Sequence, residues 1–374
     1  MSARAPQKDR LIILGTGGIA ARHAEKFGEI DSIEIVAAVD TNGERAQAFA
    51  QTHGIAKSFA SLGEAIAWGE FDAAVNSTPD AVHKATTLDL LAAGKHVFCE
   101  KPLAPTHEDA MAMTEAAEAA GVVAMVNLTY RNAHAIQRAR QMVEAGEIGA
   151  VRHVDANYLQ SWLTGKHWGD WRTEERWLWR LSGSHGSKGV LGDIGIHLLD
   201  FVTFGSGLDI SALQARMKTF DKAEGGAIGA YRFDVNDSVA MTVELANGAL
   251  GVVHMSRYAT GNLNDLHLTI YGDRGALRVW ANQFDSTLET CLGAHIETAT
   301  WERVACDPTP RNEQRFADAI RSGISGEPTF RHAAETQKIL DLCFVSDAER
   351  RFVETGLGAD GAPDGRGEVH RQAS

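Results

Sequence analysis

A chain of 374 residues, 44% apolar and 23% charged, can bury a core without disulfide or metal staples, and its length suggests two domains. Its 36 Lys+Arg against 49 Asp+Glu give a formal charge of −13, which argues against a nucleic-acid partner or an anionic membrane surface, since both need a concentrated basic face. No apolar run approaches the ~18 residues of a membrane span, residues 1–10 lack the apolar stretch of a secretory signal, and Cys99, Cys291, Cys306 and Cys343 form neither a CxxC pair nor a metal-ligand spacing. A cytoplasmic protein with reduced thiols and no metal is expected.

Residues 10–14 read as a first strand, followed by a glycine-rich turn and a helix from about Gly18. Segments 33–39, 71–76, 96–100 and 122–127 read as further strands, and the Ala-, Glu- and Leu-rich segments 44–52, 81–93 and 106–120 as helices. Strands alternating with helices predict βαβ units on a parallel sheet, covered on both faces where strands are almost continuously apolar. Beyond Tyr130 the pattern changes. A helix over 133–145 ends at Gly146, then come a strand over 151–159, a Trp-rich stretch and a glycine-rich loop. Segments 238–245, 249–255, 266–271 and 276–280 alternate, with Asn247-Gly248 as a hairpin turn, so the second half should carry a mostly antiparallel sheet. Helices are predicted over 313–322 and 333–354. The organisation is therefore α/β, with a first domain over 1–130, a second over 131–354 and a disordered tail over 355–374.

The turn Gly15-Thr16-Gly17-Gly18-Ile19-Ala20 follows a strand and opens a helix. Spaced glycines there allow a tight turn and close approach of the backbone to a pyrophosphate, and the helix N-terminus offers free N–H groups. Asp40 ends the second strand about 20 residues on, where a carboxylate takes ribose hydroxyls and repels a 2′-phosphate. This favours NAD over NADP, although Arg45 in the next helix could tolerate the extra phosphate. Glu100-Lys101-Pro102 follows another strand, at the sheet end where such folds bind ligands. By spacing alone it is as well read as a surface ion pair. Asp193 and His197 are four apart and expected on one helical face, where carboxylate and imidazole suit proton transfer. A first-turn Asp with a core His is the plainer reading of that pair. Trp162, Trp168, Trp171, Trp177 and Trp179 fall close together and are interleaved with Lys166, Arg172, Arg176 and Arg180. Indole faces with donors beside them suit a sugar ring, and equally a packed loop or subunit contact.

In this order and spacing the motifs resemble the Gfo/Idh/MocA family of glucose–fructose oxidoreductase and inositol dehydrogenase, over residues 10–353. The GxGxxA turn, Asn76-Ser77-Thr78-Pro79, Glu100-Lys101-Pro102 and Gly192-Asp193-x-x-x-His197 carry the resemblance. It implies a Rossmann domain followed by an α/β domain with a large, open, mainly antiparallel sheet. It also implies hydride transfer between a nicotinamide cofactor and a carbinol or hemiacetal carbon of a sugar, sugar derivative or inositol. Carried over by position, Lys101, Asp193 and His197 are the catalytic set and also contact substrate; the Trp-rich insertion is an individual feature of this chain, and from its own residues Trp162, Trp171, Arg172 and Arg180 are read as further substrate residues. Gly15, Thr16, Gly17, Gly18, Ile19, Asp40, Arg45, Ser77, Thr78, Pro79, His83, Glu100, Lys101 and Asn127 line the cofactor. A homo-oligomer, dimer or tetramer, formed through the open sheet near residues 238–255 is implied as well. Two rival functions stay open: an NAD-dependent glycosidase of the same fold, and a non-catalytic sugar or dinucleotide sensor.

Overall fold

The structure is a computed structural model that describes residues 8–282 and 284–358. Six parallel strands form the first sheet: β1 (Asp9–Leu14), β2 (Ile33–Val39), β3 (Lys57–Phe59), β4 (Ala73–Asn76), β5 (His96–Cys99) and β6 (Ala124–Val126). Their order is β3-β2-β1-β4-β5-β6. Leu11, Ile12 and Ile13 of β1 are completely buried, as a central strand covered on both faces requires. The order reverses between β1 and β4, and in open α/β sheets that switch point opens the ligand crevice at the strand C-termini. Strand β3 and the helix Leu62–Trp68 were not predicted; β3 has three residues and a mostly exposed, polar face, so it carries little periodic signal.

The second sheet holds nine strands. They are β7 (Val151–Leu159), β8 (Ile210–Lys218), β11 (Ser238–Leu245), β12 (Leu250–Ser256), β13 (Asp265–Gly272), β14 (Gly275–Ala281), β15 (Ser286–Leu292), β16 (Glu302–Val304) and β17 (Val353–Glu354), while β9 (Ala227–Ile228) and β10 (Tyr231–Arg232) make a separate two-stranded ribbon. The order is β16-β15-β14-β13-β7-β12-β11-β8-β17, parallel at β7·β12 and antiparallel elsewhere. Alternation divides its faces. Val154, Ala156, Val239, Met241 and Val253 point inward against the helices Ile196–Ser206 and Phe330–Glu349, whereas Leu250 and Val252 stand on the outer face, 51% and 41% exposed.

The C-terminal segment returns to the first sheet. Phe316 of the helix Asn312–Ser322 packs against Phe27 and Phe98, and the helix Phe330–Glu349 packs on His107–Ala120. The helix expected over 333–354 instead ends at Glu349; Arg350 is left-handed at φ 55, and the chain then enters β17. The expected tail begins in order: Thr355 is buried and its hydroxyl donates to the Ile210 carbonyl at 2.6 Å. Residues 359–374 of that tail lie outside the described residues.

Candidate active site

The phosphate turn is built by sterics. Gly15 has φ +81, and a Cβ there would stand 2.8 Å from the Ser77 carbonyl oxygen, so the close approach of the β1 turn to the β4 loop requires glycine. Ser77 closes the same approach, its hydroxyl donating to the Leu14 and Gly15 carbonyls. Gly17 and Gly18 face open space, and Gly17, at the N-terminus of the helix Gly18–Gly28, has no side chain to satisfy the first N–H groups. Those donors suit a pyrophosphate. Ile19, 39% exposed, stands beside them.

Asp40 is 5% exposed and densely bonded. Its carboxylate accepts from Thr16 N at 3.0 Å, Thr16 Oγ1 at 2.7 Å, Asn42 N at 2.9 Å, and Arg45 Nε and Nη2 at 3.1 and 2.6 Å. A ribose that takes Asp40 must therefore share it with Arg45. Thr78 is turned inward, its hydroxyl donating to Asn76 Oδ1 at 2.7 Å. His83 is fully buried rather than open to the groove, with its ring nitrogens 3.0 and 2.8 Å from the Pro102 and Thr78 carbonyls. Both neighbours only accept, so the ring is an imidazolium. Burial opposes that charge, but the adjacent Cys99 sulfur, Asp80 and the Thr78 carbonyl outweigh it and lift the pKa to about 10. His83 thus ties the β4 loop carrying Thr78 and Pro79 to the turn carrying Lys101.

Glu100 is held from behind. Its Oε1 accepts from His23 and from Asn127 Nδ2, each at 2.7 Å, and Oε2 accepts from Lys101 N at 3.2 Å. Asn127 is buried with both ends committed, its Oδ1 accepting from Asn312. Burial favours a neutral Glu100, yet His23 holds it ionised, near pKa 2.

Lys101 crosses to the second half of the chain, where its Nζ donates to the Asp193 carbonyl at 3.1 Å. Asp193 lies in a π-type turn, Leu191–Gly195, that runs into the α-helix Ile196–Ser206 bearing His197. The expected single α-helical face is thereby widened by the π turn. Glycines make this possible: a Cβ on Gly192 would meet Lys188 Cβ at 2.5 Å, and one on Gly195 would meet Leu191 at 2.8 Å and Met255 at 3.0 Å. Asp193 Oδ2 accepts from Arg257 Nη2 at 3.0 Å. Burial works against its charge, but Arg257, Lys101 and Arg180 prevail and hold the carboxyl at about 2. His197 is 6% exposed, edge-on to Tyr130, with a buried Nδ1 that has no hydrogen-bond partner. Burial, reinforced by the Lys101 charge, pushes its pKa down to about 3. The ring is therefore an uncharged imidazole, with the Lys101 side chain in its electrostatic reach.

The aromatic stretch divides. Trp162 and Trp171 are 2% and 1% exposed and form a core with Leu163, Leu178, Leu181 and Phe233. Their indole N–H groups donate to Gln160 and the Leu163 carbonyl. They pack the insertion instead of offering open faces to a sugar, and Arg172 stands exposed outside, over Trp171 and 3.8 Å from Asp170. Arg180 differs, reaching toward Asp193 at 3.8 Å.

Comparison with known proteins shows the family. Residues 10–128 match the model of an oxidoreductase family with an NAD-binding Rossmann fold, and residues 136–278 match a GFO/IDH/MocA C-terminal domain. The chain belongs to the Gfo/Idh/MocA family. It is 33% identical over 215 residues to levoglucosan dehydrogenase of Pseudarthrobacter phenanthrenivorans, across 54% of this chain and 53% of that one. It is 34% identical over 251 residues to 1,5-anhydro-D-fructose reductase of Ensifer adhaerens, across 65% and 67%. The fold matches an oxidoreductase domain protein from Kribbella flavida with TM-score 0.81 and 27% identity, over 93% of this chain and 99% of that one.

Within this Gfo/Idh/MocA chain, the structure brings Lys101, Asp193 and His197 to one place, with Glu100 and Asn127 behind them. His23, Tyr130 and Arg257 join the site without a sequence signal: each reads locally as an ordinary helix, loop or strand-end residue. Tyr130, Tyr158 and Asn264 form a hydrogen-bonded group beneath His197. The pattern for Arg257 is a buried arginine in a strand-end position, legible only once Asp193 is its neighbour.

Proposed function

We propose that this protein oxidises a secondary alcohol or hemiacetal carbon of a sugar, sugar derivative or cyclitol, with NAD preferred to NADP. The observation that carries the reading is the convergence of a cationic Lys101 and an uncharged His197 at the end of the cofactor groove. NAD, when bound at the glycine turn, supplies the hydride acceptor. The chain supplies the rest: Lys101 fixes the reacting hydroxyl and stabilises its developing negative charge, His197 accepts the proton, and Asp193 orients the substrate. Asp40 supports NAD because a 2′-phosphate would meet a carboxylate, and Arg45 softens that preference. The exposed Leu250 and Val252 support homo-oligomer formation through the outer sheet face. The free cysteines support a reducing, cytoplasmic setting, and among the described residues no helix is long and apolar enough to cross a membrane.

Absorbance at the reduced-nicotinamide band tests the reading across a panel of aldoses, cyclitols and glycosides with NAD and with NADP. NADH should accumulate with at least one sugar or cyclitol, faster than NADPH at matched concentrations. Glycoside cleavage at a constant level of NADH would replace the dehydrogenase reading with the glycosidase one.

A further inference from the structure

The substrate end of the groove holds more positive charge than a neutral sugar needs. Asp193 is the carboxylate there, and three cations address it. Arg257 donates to its Oδ2 at 3.0 Å, Arg180 Nε lies 3.8 Å from the same oxygen, and Lys101 Nζ donates to its backbone carbonyl at 3.1 Å. Each neighbouring acid has a cation of its own, Asp237 the buried Lys222 at 2.7 Å, Glu100 His23 at 2.7 Å and Asp80 His83, although Glu100 and Asp80 also act on Lys101 and Asp237 on Arg257. His197 is uncharged. The outer cations of the aromatic insertion show the contrast: Lys166, Arg172 and Arg176 all face Asp170 or Glu174, at 2.6, 3.8 and 2.6 Å.

Arg257 and Arg180 have different tasks. Arg257 is completely buried, donates to the Arg180 and Gly189 carbonyls, and lies over Trp162, so it is fixed to the frame and to Asp193. Arg180 is part-exposed, its side chain 30% open. The rings of Trp177 and Trp179 flank its guanidinium at 5.2 and 4.5 Å. Among the described residues its side chain has one hydrogen-bonded acceptor, the Arg176 carbonyl. A guanidinium held between indoles, and left with donors to spare, matches an oxyanion in fork geometry. Unneutralised positive charge in a half-buried pocket opposes folding, and a ligand bearing the opposite charge relieves it.

We propose that the substrate is a sugar or cyclitol bearing an anionic group, a carboxylate or a phosphate ester, and that Arg180 receives that group. The inference rests on the dehydrogenase reading for the identity of the pocket as a substrate site, and it names the class of sugar. It sets this chain apart from a dehydrogenase tuned to levoglucosan, which carries no charge.

Calorimetric titration of the NADH-loaded full-length protein tests it with charged and neutral partners on the same scaffold: glucuronate and glucose 6-phosphate against glucose, galacturonate against galactose, an inositol phosphate against inositol, with levoglucosan as a further neutral ligand. At least one charged member should bind tenfold or more tightly than its neutral parent, and 0.5 M NaCl should erode that advantage. The carboxylate and phosphate arms report which anion is taken. R180Q should weaken the charged ligand by about tenfold to a hundredfold, the scale of a charge-assisted hydrogen bond, and the neutral parent by several-fold less; R180K should keep part of the binding. A thermal melt of each variant shows whether it is folded. Neutral parents that bind as tightly as the charged members, charged members that do not bind, or an R180Q loss equal for both would each overturn the proposal. A charged sugar that binds but never reduces NAD would leave the anion site standing and remove the dehydrogenase reading.

Discussion

His23 carries a charge inside an apolar core because two carboxylates face it. Its Nε2 is 2.7 Å from Glu100 and its Nδ1 3.6 Å from Glu313, with Phe27 and Phe98 around the ring. Burial disfavours the imidazolium, but the hydrogen bond to Glu100 and the charges of Glu100 and Glu313 prevail and raise its pKa from 6.5 to about 9. Folded protein therefore holds a proton that unfolded protein releases between those values. The associated stability is fully present below pH 6.5 and is lost as pH rises through 9. It amounts to at most roughly 3 kcal/mol, at ~1.4 kcal/mol per pKa unit. Thermal melts from pH 6 to 10 should show a falling midpoint over that window, and His23→Gln should start lower and flatten the slope. An unchanged slope in His23→Gln would show that the ring is neutral in the fold. At this scale sequence reading works where the chemistry is local. The glycine turn and Asp40 are local signals, whereas Lys101 and the Asp193–His197 pair are singled out only by the resemblance of their motifs to the Gfo/Idh/MocA family. His23 and Arg257 carry no such signal, since their partners are 77 and 64 positions away. The aromatic insertion misleads for a related reason: composition shows that Trp162 and Trp171 are together but not that their faces turn inward.

Among the elements, the strands of the first sheet other than β3, and β7, β11, β12, β13 and β14 of the second, are legible because their apolar residues run continuously or alternate strictly. Strand β8 was missed although it is nine residues long, as its pattern of buried and exposed positions is broken by adjacent buried Ala212 and Leu213 at a register shift beside β11. The π turn was not legible either. It is chosen by packing, with Gly192 against Lys188 and Gly195 against Met255, and it decides where Asp193 stands relative to His197. The hairpin β11–β12 carries a consequence of its own. Its inner residues pack the core while Leu250 and Val252 remain on the far face, opposite His153 and Asp155 of β7. If this face joins subunits, Val252→Glu places a charge in the contact near Asp155. Light scattering at micromolar concentration should give a dimer or tetramer for the unmodified protein and a shift toward monomer for Val252→Glu, with NAD binding retained. A monomeric unmodified protein would remove the oligomer proposal.

At the scale of the whole molecule, a buried ion-pair network joins the segment after β6, the helix of His197 and the C-terminal helix. Arg131, just beyond β6, donates from Nε and Nη2 to Asp200 at 2.9 and 2.6 Å, and His332 of the C-terminal helix meets the same carboxylate at 2.6 Å. Asp200 lies three positions after His197 on the same helix. The division into two sheets was readable from the change of period after Tyr130; the return of residues 312–349 to the first sheet was not, because a helix's apolar stripe does not name its partner. Lys101 and His197, one from each half, are proposed to serve a single proton-transfer step. Steady-state kinetics of Lys101→Ala, His197→Ala and the double variant, with NAD affinity and melting temperature measured alongside, test it most directly. General acid–base assistance is worth roughly 10²–10⁴-fold, so each single variant should lose at least about a hundredfold in kcat. His197→Ala should bind NAD normally, and the double variant should fall well short of the product of the two losses. A His197→Ala protein that melts at a much lower temperature yet keeps its kcat while folded would make the histidine a core residue and contradict the account.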